Sequence, residues 1–109
     1  FIVDRKKDMI ISGGYNIYCP EVESVLSLHP QIAEVAVIGS PDDLWGEAVR
    51  AIVVPHPGEE VTESDIIAYC RDRMAKFKVP RSVVFIKALP TNAAGKVLKT
   101  VLRELYGKP

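Results

Sequence analysis

The stretch AEVAVIGSPDDLWGEAVRAIVV, residues 33–54, contains two short β-branched runs on either side of a turn-rich connection. The runs, 33–39 and 48–54, are almost continuously apolar, which is the pattern of strands that other elements cover on both faces. The connection, 40–47, is rich in Ser, Pro, Asp and Gly, the residues that favour turns. Residues 33–54 therefore predict two strands of a sheet with both faces covered.

Upstream of these strands, the sequence predicts a β-hairpin and a short helix. Gly13 and Gly14 separate the apolar runs 9–12 and 15–18, and a Gly-Gly pair supplies the positive φ angles that a tight hairpin turn requires. Pro20 follows and suits the first turn of a helix, where Glu21 and Glu23 complement the helix dipole, and His29-Pro30 ends it.

Downstream, the sequence predicts a second helix, a third strand and a third helix. Thr62 with Asp65 three residues later is a capping-box-like helix start. An apolar stripe at helical spacing follows and ends at Val79-Pro80; its members are Ile66, Ile67, Cys70, Met74 and Phe77. A strand is predicted at 82–87 and an amphipathic helix at 97–105. The predicted fold class is a small α+β domain with a leading hairpin and a roughly three-stranded sheet flanked by three helices.

Composition and charge limit the possible functions. The 109 residues are 48% hydrophobic and 26% charged, which is typical of one soluble globular domain, and no apolar run is long enough to cross a membrane. Cys19 and Cys70 lack C-x-x-C spacing, so we expect core thiols and no metal site. The net charge is zero, yet residues 1–70 carry four basic and twelve acidic residues whereas residues 71–109 carry ten and two. The basic tail predicts an anion-binding region, for a nucleic acid backbone or a phosphorylated cofactor, or a role in solubility alone.

The loop PTNAAGK, residues 90–96, places Lys96 where the last helix is expected to begin. A helix N-terminus carries partial positive charge and prefers anions, so a lysine there is at the unfavourable end. We therefore expect an anion from elsewhere to meet Lys96. The loop is not a Walker phosphate loop, because Pro90 stands where the first glycine belongs and Val97 follows the lysine.

Four segments in this order resemble one known family: DRKKDMIISGGYNIY, PEVE, PDDLWGE and LPTNAAGKVLK. The chain is similar over essentially its whole length to the C-terminal domain of acyl-CoA synthetases in the adenylate-forming, AMP-binding superfamily, which also includes luciferases and the adenylation domains of nonribosomal peptide synthetases. The resemblance implies a C-terminal domain in which residues 1–18 form the hinge and hairpin and residues 19–109 form the core. It also implies a large N-terminal domain, which is absent from this chain.

The resemblance implies a reaction in two steps. A carboxylate attacks ATP to give an acyl-adenylate and pyrophosphate, and the thiol of CoA then displaces AMP. Between the steps the small domain turns over the large one and presents a different face. The implied partners are the N-terminal domain, ATP or AMP, a carboxylic acid and CoA, with Mg²⁺ held mainly by the N-terminal domain. The isolated domain is expected to be inactive.

The resemblance also assigns roles to individual residues. Lys96 matches the lysine that contacts the carboxylate and α-phosphate during adenylation, Lys7 the hinge position and Arg5 an arginine near the ribose hydroxyls. Gly13 and Gly14 match the hairpin that lines the pantetheine tunnel. Three positions depart from the family pattern: Ala94 stands where Ser or Thr is common, Cys19 where Pro is common, and Tyr15 where Glu is frequent after the glycine pair. The matches at Glu21, Glu23, Gly46 and Glu47 are expected to serve caps and turns.

One hypothesis goes beyond the motifs. Trp45 lies in a polar turn, and Phe77 lies between Lys76 and Lys78 with Arg81 close by. We hypothesise that Trp45, Phe77 and Arg81 form the docking surface for the CoA nucleotide, with rings against adenine and cations against phosphates. The alternative is that both rings belong to the core.

Two other functions remain open from the sequence. An adenylating enzyme could pass its acyl group to a carrier protein or to oxygen in place of CoA. A free-standing basic module for nucleic acid is the alternative from another class, and the pairing of DRKKD with TNAAGK argues against it. The absence of a membrane segment or signal peptide in this sequence predicts a cytoplasmic location.

Overall fold

The computed structural model of the chain describes residues 9–44 and 46–107. Its elements are β1 (Met9–Ser12), β2 (Tyr15–Tyr18), α1 (Cys19–Leu26), β3 (Ile32–Asp42), β4 (Gly46–Pro55), α2 (Glu63–Arg71), a single 3-10 turn (Lys76–Lys78), β5 (Ser82–Phe85) and α3 (Lys99–Tyr106). Within these described residues, the α+β class, the leading hairpin and the three-stranded sheet with three helices are confirmed.

The strands form two sheets. β1 and β2 pair antiparallel, with Ile10 opposite Ile17. The second sheet has the order β3-β4-β5, in which β3 and β4 are antiparallel and β4 and β5 are parallel. Because a parallel pair needs a long crossover connection, α2 lies between β4 and β5 in the chain. In the order β3-β4-β5, β3 pairs with a strand on one side only, so it is an edge strand of this sheet.

The three-stranded sheet has an apolar cluster on each face, as its continuous apolar runs predict. One cluster joins Val37, Ala51 and Val53 to buried residues of the hairpin, α1 and α2. The other joins Ala36, Ile38, Ile52 and Val54 to Leu89 and to Leu102 of α3. The hairpin, α1 and α2 therefore cover one face, and α3 covers the other.

The predicted connection 40–47 is wrong in extent, because most of it is strand. β3 continues to Asp42 and β4 begins at Gly46, which lies opposite Asp42. Pro41 is tolerated here because β3 is an edge strand. Gly46 has a φ of 86°, a left-handed value that favours glycine at the end of the turn.

The second helix is shorter than its apolar stripe predicts. Its capping box is present, since Thr62 Oγ1 accepts from Asp65 N and Thr62 N donates to Asp65 Oδ2. The helix ends at Arg71 because the amides of Arg73 and Met74 both donate to the carbonyl of Cys70. Phe77 is therefore on the separate 3-10 turn and not on α2.

The last helix begins at Lys99, and the predicted start at Lys96–Val97 is wrong. Val97 forms an antiparallel bridge with Thr91, and the amide of Leu98 donates to the carbonyl of Pro90. These strand-like contacts keep the backbone before Lys99 extended. The loop 90–98 is thus a small closed structure in front of the helix.

Candidate functional site

The loop 90–98 is organised by the side chain of Asn92. Asn92 Oδ1 accepts hydrogen bonds from the amides of Ala94 (2.9 Å) and Lys96 (3.0 Å). The amide of Asn92 donates to the carbonyl of Lys96 at 3.0 Å, and Gly95 has a φ of 81°. These contacts fix the backbone of the loop and present the exposed side chain of Lys96 from a shaped turn. Sequence reasoning missed Asn92, although asparagine is a turn residue whose side chain often accepts from the backbone amide two residues later, here that of Ala94.

The cation at the start of α3 is Lys99, not Lys96. Lys99 Nζ lies 2.7 Å from Glu23 Oε2 of α1 and donates to the carbonyl of Val37 at 2.9 Å. The anion that the helix start requires is therefore supplied within the chain by Glu23. Lys96 lies three residues earlier, in the exposed loop. The dipole of α3 therefore gives no reason to expect an anion at Lys96.

Gly13 and Gly14 form the tip of the β1–β2 hairpin, as predicted. Their φ angles are 58° and 85°, so both have the positive values that a type I′ turn requires. Among the described residues, a Cβ added at Gly14 would meet nothing within 4 Å. Backbone conformation, and not crowding by these residues, accounts for glycine at position 14, and they leave the space beside the tip open.

Tyr15, directly after the glycine pair, stacks on Phe77. The ring centroids are 4.4 Å apart and the planes are inclined by 22°. Both rings are partly exposed, Tyr15 by 56% and Phe77 by 38%, so Phe77 is not a core ring. The stack borders a groove with a cavity volume of about 410 Å³, whose other lining residues are Ser12, Val49, Lys76, Val79 and Arg81.

A basic side adjoins this aromatic groove. A second cavity of about 330 Å³ shares Lys76, Val79 and Arg81 with the first and is also lined by Arg71. The side chains of Lys76, Arg81 and Arg71 are exposed. We call the two cavities together the aromatic–basic groove. An aromatic stack beside three cations suits a ligand that combines a ring with phosphates.

The structure brings some of the predicted site residues together and separates others. Phe77 and Arg81 line the groove, and the tip Gly13-Gly14 directly precedes Tyr15, which lines it too. None of the described lining residues comes from the loop 90–98. Lys96 is therefore not part of the described lining of the groove. The other predicted site residues, Arg5, Lys7 and Trp45, lie outside the described residues.

Acidic side chains attach the site elements to the core. Glu47 Oε1 accepts the amide of Ile11 at 3.0 Å and so fixes the hairpin against β4. Glu21 Oε1 lies 2.5 Å from Lys78 Nζ, which joins α1 to the 3-10 turn that carries Phe77. Glu23 binds Lys99 and the amide of Val37. The three glutamates thus link separate elements, beyond the caps and turns that the sequence predicts for them.

The two cysteines are buried free thiols, as predicted. Burial raises the pKa of the Cys70 thiol to about 11, and the positive charge of Arg73 opposes this only in part. The thiol is therefore protonated and unreactive near neutral pH. Within residues 9–44 and 46–107, no cluster of three or more His, Cys, Asp or Glu side chains is arranged to hold a metal ion. The helices of the same region are all too short or too polar to span a bilayer.

Comparisons with known proteins agree with the resemblance. Residues 21–96 match the family described as AMP-binding enzyme C-terminal domain. The chain is 55% identical over 106 residues to the long-chain-fatty-acid–CoA ligase FadD13 of Mycobacterium tuberculosis, covering 97% of this chain and 21% of that protein. It is 49% identical over 106 residues to a feruloyl-CoA synthase of an Amycolatopsis species, covering 97% and 22%.

Solved structures give the same result for the fold. The chain superposes on the ATP-bound MatB of Rhodopseudomonas palustris with a TM-score of 0.90 and 42% identity, covering 94% of this chain and 20% of that one. The chain spans about a fifth of the length of the curated relatives it matches.

Proposed function

Since the chain belongs to the family of AMP-binding enzyme C-terminal domains, we propose that it works as the mobile domain of an ATP-dependent acid–CoA ligase. The observation that carries the proposal is the 55% identity, over 97% of the chain, with a protein named as a fatty-acid–CoA ligase. The named relatives differ in their acids, a long-chain fatty acid in one and feruloyl in another. We therefore propose only the reaction class from this domain. The choice of acid would depend on the remainder of the enzyme.

The proposed reaction forms and breaks bonds in two steps. A carboxylate oxygen attacks the α-phosphorus of ATP, so that the acyl–AMP bond forms and pyrophosphate leaves. The sulfur of CoA then attacks the acyl carbon, the thioester forms, AMP leaves with the electrons of the anhydride bond, and the thiol proton is released. Mg²⁺ would accompany ATP on the remainder of the enzyme.

Lys96 is the proposed cation of the first step. Its exposed side chain can reach a ligand held by another domain, and the bonds from Asn92 Oδ1 fix the backbone from which it projects. A positioned ammonium stabilises the negative charge that develops between carboxylate and α-phosphate, and it costs little reorganisation when the reaction occurs.

The aromatic–basic groove and the hairpin tip are the proposed CoA side of the domain. The Tyr15–Phe77 stack offers a face to adenine, while Lys76, Arg81 and Arg71 offer cations to phosphates. The open space at Gly14 leaves room for the pantetheine arm. Lys96 is not among the described residues that line this groove. A rotation between the steps would explain how one small domain serves both, with Lys7 as the hinge and Arg5 near the ribose.

Separate assays of the two half-reactions in the full-length enzyme test the role of Lys96. Lys96→Ala should lower pyrophosphate release from ATP and acid by roughly 100-fold or more, the scale for loss of one transition-state contact. Thioester formation from preformed acyl-adenylate should be largely spared. The matched control is Lys87→Ala, another exposed lysine, which should leave both rates unchanged. An equal loss in both half-reactions would contradict the assignment.

The groove has its own test. Arg81→Glu should raise the KM for CoA and leave adenylation intact, because the new carboxylate repels phosphates at one wall of the groove. Phe77→Leu should give a smaller rise, since it removes the stacked ring and keeps an apolar contact. An unchanged KM for CoA in both variants would contradict the CoA-binding role of the groove. The proposed role of Lys96 in adenylation would not be affected.

A further inference from the structure

The outer side of the edge strand β3 is occupied at Val37 by two side chains of opposite charge. Glu23 Oε2 accepts the amide of Val37 at 2.8 Å, and Lys99 Nζ donates to the carbonyl of Val37 at 2.9 Å. The two side chains also bind each other at 2.7 Å. We call this ring of three contacts the Glu23–Val37–Lys99 clasp. Its side chains occupy positions at which a neighbouring strand would otherwise pair.

The clasp has a fixed polarity. The amide of Val37 needs an acceptor, and its carbonyl needs a donor. The side chain from α1 meets the amide and the side chain from α3 meets the carbonyl, so the first must be an acid and the second a base. Both side chains are mostly shielded from solvent, with exposed fractions of 23% for Glu23 and 18% for Lys99. Hydrogen bonds that involve charged partners are short and strong, and shielding preserves them against screening. The clasp therefore joins α1, β3 and the first turn of α3 at one point.

The clasp lies immediately behind the loop that carries Lys96. Only Val97 and Leu98 separate Lys96 from Lys99, and both are held by the base of the loop through the Thr91–Val97 bridge and the bond from Leu98 N to Pro90 O. Asn92 fixes the internal shape of the loop. The clasp fixes the loop's base relative to the sheet.

We propose that Glu23 and Lys99 are positioning residues for adenylation, which hold the Lys96 loop in the orientation that the first half-reaction needs. This inference rests on the proposed role of Lys96. Lys99 is not itself the reacting cation, because its ammonium is engaged by Glu23 and by the carbonyl of Val37. The two lysines of GKVLK thus divide the work: Lys96 meets the substrate, and Lys99 orients the loop.

The test uses Lys99→Met in the full-length enzyme, since methionine keeps the length of the side chain and removes its charge and donor. The kcat of pyrophosphate release should fall roughly 10- to 100-fold, the scale for misplacing a reacting group by about 1 Å. Thioester formation from preformed acyl-adenylate should be unchanged. Lys99→Arg, which retains a cationic donor, should restore most of the adenylation rate. Lys87→Met is the exposed-lysine control.

A double variant separates positioning from general destabilisation. If Lys99 acts through Lys96, Lys96→Ala combined with Lys99→Met should be no slower in adenylation than Lys96→Ala alone. Should Lys99→Met fold poorly, Glu23→Gln serves in its place, because it keeps an acceptor for the amide of Val37 and removes the charge that binds Lys99. Its selective loss in adenylation should be smaller than that of Lys99→Met.

Three results would overturn the inference: an unchanged adenylation rate in Lys99→Met, an equal loss in both half-reactions, or additive losses in the double variant. Lys96→Ala distinguishes this failure from that of the proposed function. If Lys96→Ala cripples adenylation and Lys99→Met does not, only the positioning role falls. If Lys96→Ala leaves adenylation intact, both the adenylation role of Lys96 and the positioning role of Lys99 fall.

Discussion

The β1–β2 hairpin and the loop 90–98 are attached to the domain in different ways. The hairpin inserts Ile10 and Ile17 into the core, where they are exposed by 1% and 0%, and Glu47 adds one hydrogen bond. The loop is exposed from 91 to 96 and depends on polar contacts, from Asn92 within it and from the clasp behind it.

The hairpin and the loop should therefore respond to different kinds of substitution. Apolar burial is non-directional and tolerates small shifts, whereas hydrogen bonds fail when one partner is displaced. We therefore expect the hairpin to be sensitive to changes in packing volume and the loop to be sensitive to changes in polarity. Four predictions test this contrast, from the largest effect to the smallest, and a fifth concerns the pH dependence of stability.

Truncation of a buried hairpin residue should have the largest effect on stability. Ile17→Ala removes a fully buried side chain and leaves a cavity, so the free energy of unfolding should fall by about 2–5 kcal/mol. Urea unfolding of the chain, followed by circular dichroism, measures this. Ile11→Ala on the outer face of the same hairpin, where the side chain is 50% exposed, should cost about 0.5 kcal/mol or less. Equal losses in the two variants would contradict attachment of the hairpin by burial.

Reversal of the clasp should have an intermediate effect. Glu23→Lys combined with Lys99→Glu keeps an ion pair, but it places a donor against the amide of Val37 and an acceptor against its carbonyl. The double variant should be less stable than the native chain by about 1–3 kcal/mol, the cost of leaving polar groups unsatisfied. An ion pair that acted through charge alone would survive the reversal. Native stability in the double variant, in the same urea assay, would therefore contradict the polarity argument.

Loss of the loop's internal hydrogen bonds should change local order more than stability. Asn92→Ala removes the acceptor of two amides in an exposed loop, so the free energy of unfolding should fall by about 1 kcal/mol or less. Hydrogen exchange at the amides of Ala94 and Lys96 should accelerate markedly. The matched control is Asn16→Ala, an exposed asparagine of β2, which should leave both amides as they are. Unchanged exchange in Asn92→Ala would show that the loop keeps its shape without this side chain.

The smallest effect is expected in thiol labelling, which reports whether the hairpin opens alone. Cys19 follows β2 directly and Cys70 lies in α2, and both are buried in one cluster. Both should therefore react with a thiol reagent at the same slow rate, set by unfolding of the whole domain. Faster labelling at Cys19 would indicate independent opening of the hairpin. That result would weaken the contrast with the loop.

The Cys70 thiol gives a pH dependence with a definite sign. The pKa of Cys70 is raised from 9.0 to about 11 by burial, so the folded chain keeps a proton that the unfolded chain releases. The stability linked to this group is fully present below pH 9 and is lost as the pH rises to about 11. Urea unfolding at a series of alkaline pH values, compared with Cys70→Ala, measures this contribution.

The patterns that predicted correctly were local or periodic. The Gly13-Gly14 turn, the capping box at Thr62 and the doubly covered strands are each encoded by a few neighbouring residues. Helix ends were predicted less well, because competing long-range contacts decided them. Val97 pairs with Thr91, and this bridge outweighs the helical spacing that favours an earlier start of α3.

The sequence by itself determined the fold class, the order of the elements and the family, because apolar periodicity, turn residues and spaced motifs are properties of the linear chain. Only the tertiary structure decided which residues meet. It placed Tyr15 on Phe77, joined Glu23 to Lys99 across 76 positions, and brought Arg81 to the groove that Tyr15 and Phe77 line. The physical reason is that a side chain's partner depends on how helices and sheets pack, and packing brings together residues that no local pattern relates.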